Sequence, residues 1–258
     1  MKKLIALLLL CLAGSALAAA PQPKRSLVFA YNAFPPWKYY DQQGLPAGPY
    51  TDLVRELARR MHLPLRFLHC PLPRCLAAME QGRADLMIGV QRADDRSQYL
   101  EYLDPPFAQG NRLALYQRRD DPRDLSQYVD LLSLKVGVVE GVRYQEAFDN
   151  DPRIQRDAAP SIESNFRKLL AGRIDVLIGN EQQSGLLARR AEFAPQVRRA
   201  PLSLDDSRPH HLVLSLKSPY YAERTEFSKT LQTMLADGSV ARILSGVPLQ
   251  PTSATRPR

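Results

Sequence analysis

The strongest constraint on this chain is a unit that occurs twice. Gly82-Arg83-Ala84-Asp85-Leu86-Met87-Ile88-Gly89 and Gly172-Arg173-Ile174-Asp175-Val176-Leu177-Ile178-Gly179 both read Gly-Arg-x-Asp, two apolar residues, Ile-Gly, ninety positions apart. Each follows an apolar helical pattern, carried by Leu76 and Met79 in the first and by Ile162, Phe166, Leu169 and Leu170 in the second. The opening glycine suits the left-handed position just past a helix end. The apolar run reads as a short strand buried on both faces, and the closing glycine lets the backbone turn or approach something closely. Asp85 and Asp175 are expected to brace the turn.

Each unit also has a strand upstream, Leu27-Val28-Phe29-Ala30 and Val136-Gly137-Val138-Val139. After the first comes an amphipathic helix with Leu53, Val54, Leu57, Ala58 and Met61 on one face. Strands alternating with helices predict α/β lobes with mostly parallel sheet. Two such lobes in tandem leave a cleft between them. Ligands of open α/β sheets sit beyond the carboxyl ends of strands, so Gly89 and Gly179 are both expected to face that cleft. A last helix carries Phe227, Leu231, Met234 and Leu235, and a shorter one carries Val240, Ile243 and Leu244.

The ends suggest export. Met1-Lys2-Lys3 leads into an apolar run from Leu4 to Leu12 and then small residues to Ala20. This is the charged, apolar and small-residue order of a cleavable signal peptide, with cleavage expected after Ala18 or Ala20. The run is shorter than the roughly 20 apolar residues a spanning helix needs. Cys11 lies mid-run behind Leu10, which does not fit a lipid-anchored cysteine. The proline-rich polar end, 249–258, is expected to be disordered.

The chain carries a net charge of +8, and the leader takes away two lysines and no acid, leaving +6. Such a balance favours anionic partners. The basic residues are scattered, with no stripe or module to present them to nucleic acid, so nucleic acid is excluded as a partner. Cys70 and Cys75, in Cys-Pro-Leu-Pro-Arg-Cys, are the cysteines left after the leader. In an oxidising compartment they read as a disulfide. A metal site needs more ligands than the adjacent His69 supplies, and no metal or cofactor is expected. His210-His211 alternate faces on a strand and so do not read as a chelating pair.

These features together resemble the family 3 bacterial periplasmic solute-binding proteins, best known for binding polar amino acids for ABC importers. The resemblance runs from Ser26 to Val247 and rests on order and spacing. Its parts are the first strand with Phe34-Pro35-Pro36-Trp37; Gly48-Pro49-Tyr50-Thr51-Asp52-Leu53; Gly82 to Gly89, then Arg96, then Glu101 to Phe107; Leu134 to Gly141; and Leu216-Lys217 through Asp237-Gly238. Arg74-Cys75-Leu76 is similar to a subgroup's Trp-x-Arg-Cys-Leu segment, with Leu72 in place of the tryptophan.

The resemblance implies a two-lobed α/β periplasmic-binding-protein-like fold of type II, with two crossover strands forming a hinge. It implies a signal peptide over 1–20, a linker over 21–25, a first lobe over 26–117, a second over 118–211 and a return to the first over 212–248. Crossings are expected near 113–118 and 212–216. It further implies a monomer in the periplasm that closes on a carboxylate-bearing small molecule and delivers it to an inner-membrane permease.

Read alone, Arg96 is an exposed arginine beside Asp94 and Asp95. In the family register it grips the ligand α-carboxylate, which a guanidinium binds through two parallel hydrogen bonds. Gly89 and Gln91 fall where the family contacts the same carboxylate. Tyr31, Phe34 and Trp37 are expected to wall the ligand's apolar stem.

In the second lobe Val142 and Arg143 replace the expected Thr, and Asn180 replaces the Asp that pairs with the ligand ammonium. Two readings stay open. In one, the solute is an anion lacking an ammonium, held by Arg96 and Arg143. In the other, Arg143 is exposed and Glu181 substitutes for the Asp. Two other functions share the scaffold: a dehydratase using Glu140 or Glu181, and an extracytoplasmic ligand sensor.

Overall fold

A computed structural model describes residues 25–247. The expected leader and tail lie outside these residues.

The chain begins with β1 (Leu27–Tyr31), a hairpin of β2 (Tyr39–Tyr40) and β3 (Pro46–Ala47), α1 (Pro49–Arg60) and β4 (Leu65–His69). Next come α2 (Leu72–Glu80), β5 (Leu86–Gln91), α3 (Asp94–Ser97) and β6 (Leu100–Tyr102). A second series follows: β7 (Asn111–Arg118), β8 (Lys135–Val139), α4 (Glu146–Asp149), β9 (Gln155–Ala159), α5 (Ile162–Leu170), β10 (Val176–Asn180), α6 (Glu181–Ala188) and β11 (Val197–Asp206). The chain then returns through β12 (His210–Ser215), α7 (Arg224–Ala236) and α8 (Ser239–Leu244).

Two five-stranded sheets result, ordered β4-β1-β5-β12-β6 and β11-β7-β10-β8-β9. The repeated unit supplies the central strand of each, β5 and β10. Its first glycine closes the preceding helix in a left-handed conformation both times, with φ of 71° at Gly82 and 67° at Gly172. The aspartates play matching parts. Asp85 Oδ2 accepts the Val28 N–H of β1, and the Asp85 N–H donates back to the Val28 carbonyl, both at 2.8 Å. Asp175 exchanges the same two bonds with Lys135 of β8, both at 2.9 Å. Each lobe thus ties its central strand to the parallel strand upstream of it by one aspartate.

Both faces of each sheet are covered, which explains the unbroken apolar strands. In the first lobe Leu27, Phe29 and Tyr31 face α1 and α7, while Val28 and Ala30 face Cys75, Ala78 and Met79. In the second, Val176 and Ile178 join one cluster and Leu177 joins Phe166 and Leu169 in the other.

The expectation of mostly parallel sheet needs correction. β1 runs parallel to β4 and β5, and β8 to β9 and β10, but β12 runs antiparallel to β5 and β6, and β7 to β10 and β11. The reversed strands are those that follow a passage between lobes. β7 pairs only in the second sheet and β12 only in the first, so the expected lobe boundaries fall inside strands. The passages lie just upstream, at 103–110 and 207–209. Hydropathy marks these strands as buried but does not say which sheet each one joins.

Candidate functional site

A cavity of about 540 Å³ lies between the lobes, at the carboxyl ends of β5 and β10. Gly89 and Gly179 both line it. Their reasons for lacking a side chain differ. Gly89 has φ +78°, and an added Cβ would lie 2.8 Å from Tyr50 Cε2. Across from it the β5–β12 register steps from Ile88↔Leu212 to Val90↔His211, so Gly89 is the extra residue of a bulge. A bulge breaks the regular ladder, and it does so here beside the cavity. At Gly179 an added Cβ would meet Ser184 Oγ at 2.5 Å and Ile162 Cδ1 at 2.7 Å.

Arg96 lines the cavity from α3 and is 6% exposed. It is not the exposed arginine that its acidic neighbours suggest. Its guanidinium makes no ion pair among the described residues, and its Nη2 donates across the cleft to the Gly141 carbonyl at 2.6 Å. Burial pushes its pKa down, because a charge removed from water without a counter-ion is disfavoured. Asp95, next in sequence, instead pairs across the cleft with Arg143 at 2.5 Å. Gly141 also faces the disulfide loop, where an added Cβ would come within 3.3 Å of Pro73 Cγ. The Arg96–Gly141 bond and the Arg143–Asp95 pair therefore both join the lobes beside the cavity.

Cys70 and Cys75 are joined by a disulfide, with Cα atoms 5.3 Å apart. The bridge closes the β4–α2 loop, and Cys70, Pro71 and Leu72 form part of the cavity wall.

Of the other expected residues, Phe34, Gln91, Val142, Arg143 and Asn180 line the cavity, whereas Tyr31 and Trp37 do not. Tyr31 is fully buried in the first-lobe core, where its hydroxyl donates to the Tyr39 carbonyl at 2.5 Å and anchors the β2–β3 hairpin. Trp37 stacks behind Phe34, with ring centroids 5.0 Å apart, so Phe34 alone of the three presents its ring to the cavity. The aromatic wall is one ring deep because the rest of the loop packs inward.

The polar residues are more committed than expected. Gln91 Nε2 donates to Asp206 Oδ2 at 2.7 Å and to the Arg208 carbonyl at 3.1 Å. Asn180 caps α6, its Oδ1 accepting the Gln183 N–H at 3.1 Å, while its amide hydrogens have no acceptor among the described residues. Glu181 turns away and pairs with Arg199 at 2.6 Å, so it does not replace the missing aspartate. Neither Glu140 nor Glu181 lines the cavity, which removes both carboxylates proposed for a dehydratase.

Sequence reasoning missed Lys38 and His210. Lys38 lines the cavity and is 2% exposed. It closes the Pro35-Pro36 loop through reciprocal backbone bonds with Phe34. The signal was available, since a lone lysine inside Trp37-Lys38-Tyr39-Tyr40 sits where burial is expected. His210 lines the cavity while His211 faces the opposite side against Tyr102, as strand alternation requires. Burial lowers the His210 pKa to about 4. Among the described residues no three His, Cys, Asp or Glu side chains are grouped to hold a metal.

The sequence profile of bacterial extracellular solute-binding proteins, family 3, matches residues 27–246. The chain belongs to that family. It is accordingly a binding protein and not an enzyme. One relative, from Neisseria gonorrhoeae and described as a "Probable histidine-binding protein", is 28% identical over 94% of both chains. An ancestral arginine-binding protein bound to arginine shares the fold with a TM-score of 0.74 at 19% identity, over 87% of this chain and 99% of its own. A histidine kinase sensor domain similar to periplasmic binding proteins gives a TM-score of 0.73 at 21% identity, over 89% of this chain and 99% of its own. At such identities these two likenesses speak to the fold.

Proposed function

We propose that this protein is exported to the periplasm, where as a monomer it captures a small carboxylate-bearing solute, an amino acid or a related acid, and delivers it to an inner-membrane permease. One observation carries the reading: the Arg96 guanidinium is buried in the interlobe cavity with no carboxylate partner among the described residues. A buried guanidinium is stable when a planar anion accepts from it. Gly89 and the Asn180 amide lie along the same cavity, and the Asn180 amide adds a neutral donor. The relative described as a probable histidine-binding protein supports an amino acid as the solute class.

A thermal-shift panel of amino acids, dicarboxylates, polyamines and aromatic acids tests the reading. A true ligand at a hundredfold excess over Kd stabilises by about 2.7 kcal/mol. No shift with any acid of the panel would sink it. Export is checked separately, by an amino terminus at Ala19 or Pro21 in the protein recovered from the periplasm.

A further inference from the structure

We infer that Lys38 is a second cation for the solute, and that the cleft selects a molecule with two acidic groups, a dicarboxylate or an acidic amino acid. This rests on the reading of the cleft as a carboxylate site and names the class of solute within it.

Four cationic side chains line the cavity: Lys38, Arg96, Arg143 and Arg190. Arg143 is neutralised by Asp95, and Arg190 lies 3.3 Å from Glu163. The other two have no acid. Lys38 Nζ donates to Asn32 Oδ1 at 2.8 Å and to the Ile88 carbonyl at 3.3 Å, both neutral acceptors. An ammonium has three N–H donors, so one remains without an acceptor among the described residues. A buried ammonium held only by neutral groups is costly unless an anion joins it. Its lowered pKa, about 7, has burial as its single cause and agrees with this geometry. Lys38 is held against the middle of β5 and Arg96 on the helix that follows, so the two cations occupy different points on the same wall.

The acids of the cavity lead to the same conclusion. Glu163 and Asp206 line it. Glu163 accepts from Arg167 at 2.5 Å besides facing Arg190, and Asp206 is held by Arg208 at 2.9 Å and by Gln91. No lining carboxylate is left to receive a cationic solute. A basic amino acid would bring two positive groups to a wall that already holds two unpaired ones.

The test uses two matched pairs, L-glutamate with L-glutamine and glutarate with its monoamide, plus L-arginine and L-histidine, titrated calorimetrically into refolded, solute-free protein. Each diacid is expected to bind at least about tenfold more tightly than its amide, the scale of one charge-assisted hydrogen bond. In Lys38→Met both ratios should fall to near one. Lys38→Gln provides a second variant should the first not fold. Arginine or histidine binding more tightly than either diacid, no preference over the amides, or ratios unchanged in a folded variant would each overturn the inference. Binding of a monoacid without that preference leaves the carboxylate reading standing while this one falls. Binding of none of the six defeats both.

Discussion

The Nη2 of Arg96, on the first lobe, donates to the backbone oxygen of Gly141, on the second, at 2.6 Å. One buried side chain therefore both faces the solute cavity and spans the cleft. If Arg96 grips the solute as proposed, capture and lobe closure are coupled at a single guanidinium. Arg96→Met should cost the bound solute about 2–5 kcal/mol, the range for truncating one partner of a buried charge pair. Arg96→Lys should recover little, because an ammonium cannot present two parallel donors. Calorimetry checks this, and a lysine variant with wild-type affinity would refute the two-point grip.

The second rim contact should matter less. Arg143 and Asp95 are 44% and 54% exposed, so solvent screens the pair. Exposed pairs contribute about 0–1 kcal/mol. Arg143→Gln is expected to weaken solute binding by less than about fivefold and to reduce its salt dependence. A loss as large as that of the Arg96 variant would mean that Arg143 grips the solute directly.

Reduction of the Cys70–Cys75 bridge should destabilise the protein by about 2 kcal/mol, the value for so short a closed loop. For a domain of this size the corresponding drop in Tm is roughly 4–8 °C. Affinity should fall as well, since the loop forms cavity wall. Scanning calorimetry of Cys70→Ser/Cys75→Ser measures the first effect, and titration of the same variant the second.

Gly89→Ala should fail on both stability and binding. The left-handed φ of 78° and the Tyr50 ring 2.8 Å from the new Cβ act together. A cost of about 1–3 kcal/mol is expected from the backbone alone. Gly238 has a similar φ of 75° with nothing near its Cβ, so Gly238→Ala should destabilise without touching affinity. Equal affinity losses in the two variants would show that the crowding at Gly89 has no bearing on binding.

Acid stability should depend on His210. Its pKa is lowered from 6.5 to about 4, first by burial, then by His211, Lys38 and Arg208, with Asp206 opposing. Between those values the unfolded chain holds the extra proton, so stability falls as the pH drops from 6.5 to 4 and levels off below that through this group. The full loss is about 3 kcal/mol. The difference in unfolding free energy between wild type and His210→Gln, followed with denaturant at each pH, should shrink over this window. A constant difference would contradict the assignment.

Much of the scaffold was legible in local pattern. Gly82 and Gly172 end helices, Asp85 and Asp175 brace strands, and the Leu53 to Met61 face packs inward, because each depends on neighbours a few residues away or on a short apolar run. The site was read less well. Tyr31, taken for a ligand contact, is core; Glu181, a replacement acid in one of the two open readings, is bound to Arg199; Lys38 went unnoticed. The bonds that decide these roles join distant residues: Gln91 and Asp206 are 115 positions apart, and Arg96 and Gly141 are 45.

Two α/β lobes around a repeated strand, with a cleft at the strands' ends, were thus already written in the local pattern of residues. Backbone conformation and apolar periodicity are local properties, and they carry that information. Which charges stay without an acid in the cleft was settled by the packing of distant segments. Whether an arginine or lysine keeps its charge free for a solute depends on which acids fold up beside it, and no local pattern records that choice.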